Sequence, residues 1–315
     1  MPKGYGLLVG LKSVDSKKYN GWDGINGCWG CELDVDNIEQ ILNTNGYNEI
    51  EILKTKNATS ENILKKLEYF SKKIKPEDIF VFYYSGHGGQ MPDNDGDELD
   101  GHDETLVAYD REIRDDELVK IWEIFSEDTR IFMISDSCNS GTNYKLIKNI
   151  NDKTPIIPID KTSSSKYKFS MIHYGGCRDG ESSSGYKTGG AFTMALCDLW
   201  KSNGYKYDYK NFLNEISKNF KFSQNPQFSE FGKKNEKFLK QNPFVISDKD
   251  NIKINISITG NNFEDINDYI KNKLPKEVLE QIGNLSNNNR PCSVSGSTST
   301  GPNGTTVSGT FTCTF

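Results

Sequence analysis

Apolar positions in the first 200 or so residues follow two alternating rhythms. Short apolar runs at Gly4–Gly10, Glu49–Leu53, Ile79–Tyr84, Arg130–Ser135 and Phe169–Tyr174 have the length and the aromatic or β-branched content of strands. Between them, apolar residues recur every three or four positions. Asp34–Asn43 carries Val35, Ile38, Ile41 and Leu42. Ser60–Ile74 carries Ile63, Leu64, Leu67, Phe70 and Ile74, with Thr59 or Ser60 as cap and Pro76 as stop. Asp115–Phe125 and Gly190–Trp200 continue the series. Such β-α repetition predicts an α/β fold: an open, mostly parallel sheet flanked by helices on both faces.

Two stretches break the rhythm. Residues 142–168 are polar and Lys-rich, with Pro155 and Pro158, and read as a long surface loop. After Ser247 the character changes: Asn251–Ile258 alternates like a strand, Phe263–Ile282 has a helical period, and Asn287–Phe315 is rich in Ser, Thr and Gly. The expected division is therefore residues 1–247 as the main domain and 248–315 as a C-terminal appendage. Within the tail, Gly301-Pro302-Asn303-Gly304 is a turn signal. Folding about Pro302 and Asn303 would set Cys292 opposite Cys313 in a hairpin; disorder is the alternative reading of this stretch.

Composition narrows the function. A chain of 315 residues can bury a large core. Its net charge of −6 gives a nucleic-acid role no electrostatic support. No apolar run approaches the roughly eighteen residues of a membrane span. The N-terminal apolar stretch reads as a first buried strand rather than a signal sequence, so a cytoplasmic location is expected. The seven cysteines are odd in number and scattered, a pattern that fits reduced thiols. Cys28 and Cys31 form a C-x-x-C in a Gly/Trp-rich loop; no second pair completes a zinc site, and ordinary packing is the favoured reading.

The chemistry concentrates in two short segments, Tyr84-Ser85-Gly86-His87-Gly88-Gly89 and Asp136-Ser137-Cys138-Asn139-Ser140-Gly141, each at the carboxyl end of an apolar run. Open α/β sheets place reactive groups at such ends. A lone buried Cys or His is more often structural, but Cys138 stands where the chain must leave the sheet, and glycines flank His87. A thiol beside an imidazole becomes the nucleophilic thiolate. The N–H groups of Gly88 and Cys138 are candidate oxyanion donors.

Together these segments resemble the caspase-fold cysteine peptidases, and most closely the metacaspases and their bacterial relatives. The separation of His87 and Cys138, 51 residues, is close to the caspase spacing. Gly30-Cys31-Glu32-Leu33-Asp34-Val35, the acidic stretch Asp93–Glu104, and Ser170–Ser184 followed by Gly190-Ala191-Phe192-Thr193 match further parts of the metacaspase pattern. The resemblance spans roughly residues 4–247 and leaves the tail uncovered.

The resemblance implies a His87–Cys138 dyad with no third member, no cofactor for catalysis and a monomer. It also implies an acidic pocket, built from Asp136 and Asp34 and lined by Ser85, for an Arg or Lys before the scissile bond of a protein or peptide substrate. Asp34 could equally cap the helix it opens. Metacaspases that bind activating Ca²⁺ use positions matching Asp103, Asp115 and Asp116; a fourth position, an Asp in those proteins, is Lys145 here. A solvated acidic loop is the even alternative for that stretch. Lys145, Lys148 and Lys153 follow the nucleophile and are candidate self-cleavage sites. The competing readings are a catalytically silent scaffold that acts by protein binding, and cleavage after Asp. His102 and His173 are assigned to structure.

Overall fold

The computed structural model describes residues 2–92, 102–137, 167–177, 185–203, 206–219 and 224–247, together with three C-terminal strands. The chain divides into two compact units, 1–246 and 247–315.

In the first unit the elements run β1 (Gly4–Gly10), α1 (Cys31–Thr44), β2 (Glu49–Lys54), α2 (Ser60–Lys73), β3 (Ile79–Ser85), β4 (Gly88–Pro92), β5 (His102–Val107), β6 (Glu112–Arg114), α3 (Asp115–Trp122), β7 (Arg130–Asp136), β8 (Ser170–Gly175), β9 (Gly185–Tyr186), β10 (Gly189–Gly190), α4 (Ala191–Asn203), α5 (Tyr209–Asn219), β11 (Gln227–Gly232) and α6 (Glu236–Leu239). Six of the strands form the main sheet in the order β11-β8-β7-β3-β1-β2. All its pairs are parallel except β11 with β8. The mostly parallel sheet expected from the apolar pattern is thus present, with an antiparallel edge.

Period-two alternation sorts the strand residues onto two cores. Phe80, Phe82 and Tyr84 of β3 join Leu7, Val9, Ile131 and Met133 on the face covered by α2 and α3. Val81 and Tyr83 join Leu8, Phe132 and Ile134 on the face covered by α1, α4 and α5. Strands buried on both faces read as continuous apolar runs, which is why the sequence marked them so clearly. Each such side chain contributes about 1.5–3 kcal/mol of burial.

This topology also fixes where a site can form. The chain leaves β1 for β2 on one side and returns to β3 on the other, so the crevice at the carboxyl ends of β1 and β3 is the switch point of the sheet. The three strand ends are level there: Gly10 pairs with Ser85, and Ser85 with Asp136.

Three regions depart from expectation. Helix α1 begins at Cys31, three residues earlier than the periodicity placed it, because Cys31 already packs inward. A small antiparallel sheet β4-β5-β6 contains the end of the acidic stretch, so Asp103 and Glu104 are buried rather than solvated, and His102 opens β5. Helix α5 and strand β11 were not assigned from the sequence, although Tyr209, Phe212, Leu213 and Ile216 of α5 recur at helical spacing and are buried.

In the second unit, β12 (Lys253–Ile256), β13 (Cys292–Gly301) and β14 (Gly304–Cys313) form an antiparallel sheet in the order β12-β14-β13. Cys292 is the register partner of Cys313, as symmetric folding about Pro302 and Asn303 requires. The helical period at 263–282 lies outside the described residues. Among the described residues no helix is long and apolar enough to cross a membrane.

Candidate active site

His87 stands two residues beyond the end of β3, held by its neighbours on both sides. The Tyr84 hydroxyl lies 2.6 Å from the His87 carbonyl, and the Val107 N–H donates to that same carbonyl at 3.0 Å. The imidazole packs against Trp22, with ring centroids 4.9 Å apart. Its Nε2 is 2.8 Å from the Gly24 carbonyl. A carbonyl only accepts, so Nε2 carries the hydrogen and Nδ1 keeps the lone pair when the ring is neutral. The Gly24 carbonyl thereby orients the ring, a contact the resemblance did not supply. A backbone carbonyl leaves no signature in sequence.

Cys138 lies outside the described residues, as do Lys145, Lys148 and Lys153. The chain is described as far as Ser137, whose carbonyl accepts from the Cys177 thiol at 3.1 Å. Gly88, the other candidate oxyanion donor, opens β4 directly after His87.

The described thiol nearest the imidazole is Cys28, which the sequence reading had assigned to packing. Burial pulls the pKa of His87 down, but hydrogen bonds to Cys28 and to the Gly24 and Asn26 carbonyls outweigh it and leave His87 raised. The Cys28 thiol is in turn lowered to about 6, first by a hydrogen bond from Cys31 and then by His87, against its burial. Cys31 is pushed well up by the same hydrogen bond and by burial. The C-x-x-C spacing was visible in sequence; only the return of β3 beside it reveals the histidine.

Asp34 and Asp136 come together beside Gly190. Asp136 ends β7 and is 4% exposed; its Oδ2 accepts from the Thr193 N–H at 3.0 Å and the Thr193 hydroxyl at 2.7 Å. Asp34 is wholly buried; it accepts from the Ser85 hydroxyl at 2.8 Å and from the Gly190 N–H at 3.0 and 2.9 Å. These bonds run to neighbouring elements rather than to the start of α1, whose N-cap Gly30 has no side-chain bond. Burial and the charge of Asp136 push the Asp34 pKa up to about 7, against its bonds from Gly190 and Ser85.

Two glycines make the approach of β10 to these carboxylates feasible. Gly189 has φ +134, a region that L side chains avoid, and a Cβ on Gly190 would stand 2.1 Å from Asp136 Oδ2. The resulting cavity, about 200 Å³, is lined among others by Cys28, Cys31, Ser85, His87, Asp136 and Gly190. The lining thus sets an imidazole and the Asp136 carboxylate in one cavity.

The expected calcium ligands are elsewhere, at β5 and the start of α3. Asp103 is 1% exposed, and the Arg114 guanidinium lies 2.9 Å from its Oδ2. The Asp115 carboxylate accepts from the Asp116 N–H at 3.0 Å. Among the described residues, no three His, Cys, Asp or Glu side chains are grouped to hold a metal. Calcium takes about six to eight oxygen ligands, and here a guanidinium already neutralises Asp103. These described carboxylates do not by themselves supply that many ligands. His173, in β8, is fully buried with Nε2 3.4 Å from the Ser135 hydroxyl, a structural placement.

The open α/β sheet thus sets an imidazole, an orienting carbonyl and an acidic cavity at its switch point. Comparison with known proteins makes this specific: the chain belongs to the caspase domain family, whose model matches residues 14–242. It is 40% identical over 127 residues to metacaspase-1A of Aspergillus terreus, covering 36% of this chain and 32% of the fungal one. Metacaspase-1A of Aspergillus niger is 38% identical over 150 residues, covering 43% and 35% respectively. The chain thus spans about a third of the length of these curated relatives. A crystal structure of a protein from Geobacter sulfurreducens superposes with a TM-score of 0.65 at 33% identity, covering 78% of this chain and 99% of that one.

Proposed function

We propose that this chain is a metacaspase-like cysteine endopeptidase that cleaves after Arg or Lys. The observation that carries the reading is a cavity lined by both His87 and the buried carboxylate of Asp136, with a second buried carboxylate, Asp34, bonded directly to the lining residues Ser85 and Gly190. An Arg or Lys side chain entering it would exchange water for charge-assisted hydrogen bonds, with Arg able to bond two oxygens at once. Aspartate would meet like charge, which disfavours the caspase-type alternative.

In the proposed reaction, Nδ1 of His87 takes the Cys138 proton while the Gly24 carbonyl holds Nε2–H in place. The thiolate attacks the carbonyl carbon of the basic residue. The N–H groups of Gly88 and Cys138 receive the developing oxyanion. His87 then protonates the leaving amine, and water hydrolyses the thioester on sulfur. The chain is proposed to act as a monomer on protein substrates, with Lys145, Lys148 and Lys153 as self-cleavage positions. A reducing, cytoplasmic setting suits Cys28, Cys31, Cys177 and Cys197, none of which is in a disulfide. No calcium step forms part of the proposal.

A panel of fluorogenic peptides differing only in Arg, Lys or Asp before the cleavage point tests the reading. Turnover of the Arg and Lys members, absent in Cys138→Ala, is expected. Turnover of the Asp member alone would transfer the chain to the caspase-type alternative, and turnover of none would leave the silent scaffold.

A further inference from the structure

The turn leading into α1 carries two thiols that the peptidase reading does not use. Cys28 and Cys31 are the ends of a four-residue turn closed by the Cys31 N–H, which donates to the Cys28 carbonyl at 3.2 Å. A closed turn of this kind keeps its end Cα atoms within about 7 Å, and disulfide-bonded cysteines have Cα separations of about 4.4–6.8 Å. The two side chains already share a hydrogen bond, and neither is joined covalently.

Their surroundings divide the labour that dithiol chemistry needs. Cys28 hydrogen-bonds His87, which favours a thiolate. Cys31, one helical residue in, retains its proton. Both sulfurs belong to residues that line the 200 Å³ cavity, which gives a small solute a way in. The other described cysteines differ on each point. Cys197 is buried in the α4 core and pushed up to about 12, chiefly by burial, and Cys177 donates its hydrogen to the Ser137 carbonyl.

We propose that Cys28 and Cys31 form a reversible dithiol–disulfide centre in the wall of the cleft, oxidised by a hydroperoxide. The Cys28 thiolate attacks the near oxygen of the peroxide, the O–O bond breaks, and water or an alcohol departs as Cys28 becomes a sulfenic acid. The Cys31 sulfur then attacks the Cys28 sulfur. The S–O bond breaks and the hydroxide leaves as water with the Cys31 proton. The sulfur pair loses two electrons and the peroxide gains them. A dithiol reductant reverses the change. Oxidation withdraws from His87 the sulfur that now hydrogen-bonds it, coupling the cleft to redox state. The centre requires only this turn, so it stands or falls independently of whether the chain is a peptidase.

The test uses the full-length Cys138→Ala chain, so that the proposed nucleophile cannot take part, with the unsubstituted chain mapped in parallel. Each is exposed to increasing hydrogen peroxide, acid-quenched, unfolded, alkylated with N-ethylmaleimide and digested with trypsin. The peptide Tyr19–Lys54 contains Cys28 and Cys31 and no other cysteine. It is expected to escape both alkylations and to weigh two hydrogens less than the reduced peptide, before the Cys177 and Cys197 peptides change. Dithiothreitol should restore both alkylations. The proposal is overturned if this peptide stays doubly alkylated until the other cysteines react. It is equally overturned if Cys28 accumulates as a sulfinic acid while Cys31 remains alkylated.

Discussion

Ser85 and Asp136 are register partners at the carboxyl ends of β3 and β7, parallel neighbours in the sheet. The Gly86 N–H donates to the Asp136 carbonyl at 3.3 Å, so the two chains leave the sheet still tied together. In sequence, His87 follows one partner by two residues and Cys138 follows the other by two.

If His87 is the proton carrier, His87→Ala should leave the fold intact and remove the chemical step. A fall in kcat of at least about 100-fold is expected, because positioned acid–base groups contribute on the order of 10²–10⁴-fold. Steady-state kinetics on an Arg peptide, with circular dichroism to show folding, measures this.

Trp22 packs against the imidazole while 42% of its own surface remains exposed. Trp22→Ala should therefore cost little stability and yet lower kcat. A ring pair contributes about 0.5–1.5 kcal/mol, so a loss of about 2- to 10-fold in kcat is expected, with KM changing less.

Asp136→Asn keeps the shape of the pocket and removes its charge. Hydrogen bonds to charged groups contribute about 1.5–3 kcal/mol, so kcat/KM for Arg peptides should fall roughly 10- to 100-fold. Gly190→Ala attacks the same oxygen from the opposite side, since the added methyl cannot stand 2.1 Å from Asp136 Oδ2. Overpacking of this sort costs about 1–3 kcal/mol. Thermal unfolding should show that loss in Gly190→Ala and a much smaller one in Asp136→Asn.

Asp34 gives the pocket a pH dependence of definite sign. Its folded pKa of about 7 lies above the ordinary value of 3.8, owing to burial and to Asp136. Below about pH 7 the carboxyl is protonated and holds a cation less well. The value of kcat/KM for Arg peptides should thus fall on the acid side of 7, and Asp34→Asn should lose that limb. Stability moves the opposite way. The folded chain keeps a proton that the unfolded chain releases, so Asp34 favours folding below pH 4 and that contribution fades as pH rises through 7. Relative to the natural chain, Asp34→Asn should gain on the order of 1–3 kcal/mol at pH 8 and little at pH 4, which chemical denaturation at the two pH values would show.

Much of this arrangement was legible in the residues because parallel strands buried on both faces write continuous apolar runs. The run Ile79–Tyr84 lacks only Ser85 of the strand that forms, and Gly4–Gly10 matches it fully. The pairing of Cys292 with Cys313 followed from turn chemistry alone. What escaped was made by return of the chain rather than by local pattern. Gly24 acts through a carbonyl, and Cys28 becomes interesting only because β3 brings His87 beside it. Asp103 read as a calcium ligand or as part of a solvated acidic run, yet Arg114, on the next strand, holds it in a buried ion pair.

The most direct measurement is covalent capture. A peptidyl-arginine acyloxymethyl ketone, which needs both an acidic pocket and an activated thiol, is incubated with the full chain and the modified peptide is sequenced by mass spectrometry. A single adduct on the sulfur of residue 138, suppressed by His87→Ala and by Asp136→Asn, is the expected result. Capture at Cys28 instead, or labelling indifferent to both substitutions, would contradict it.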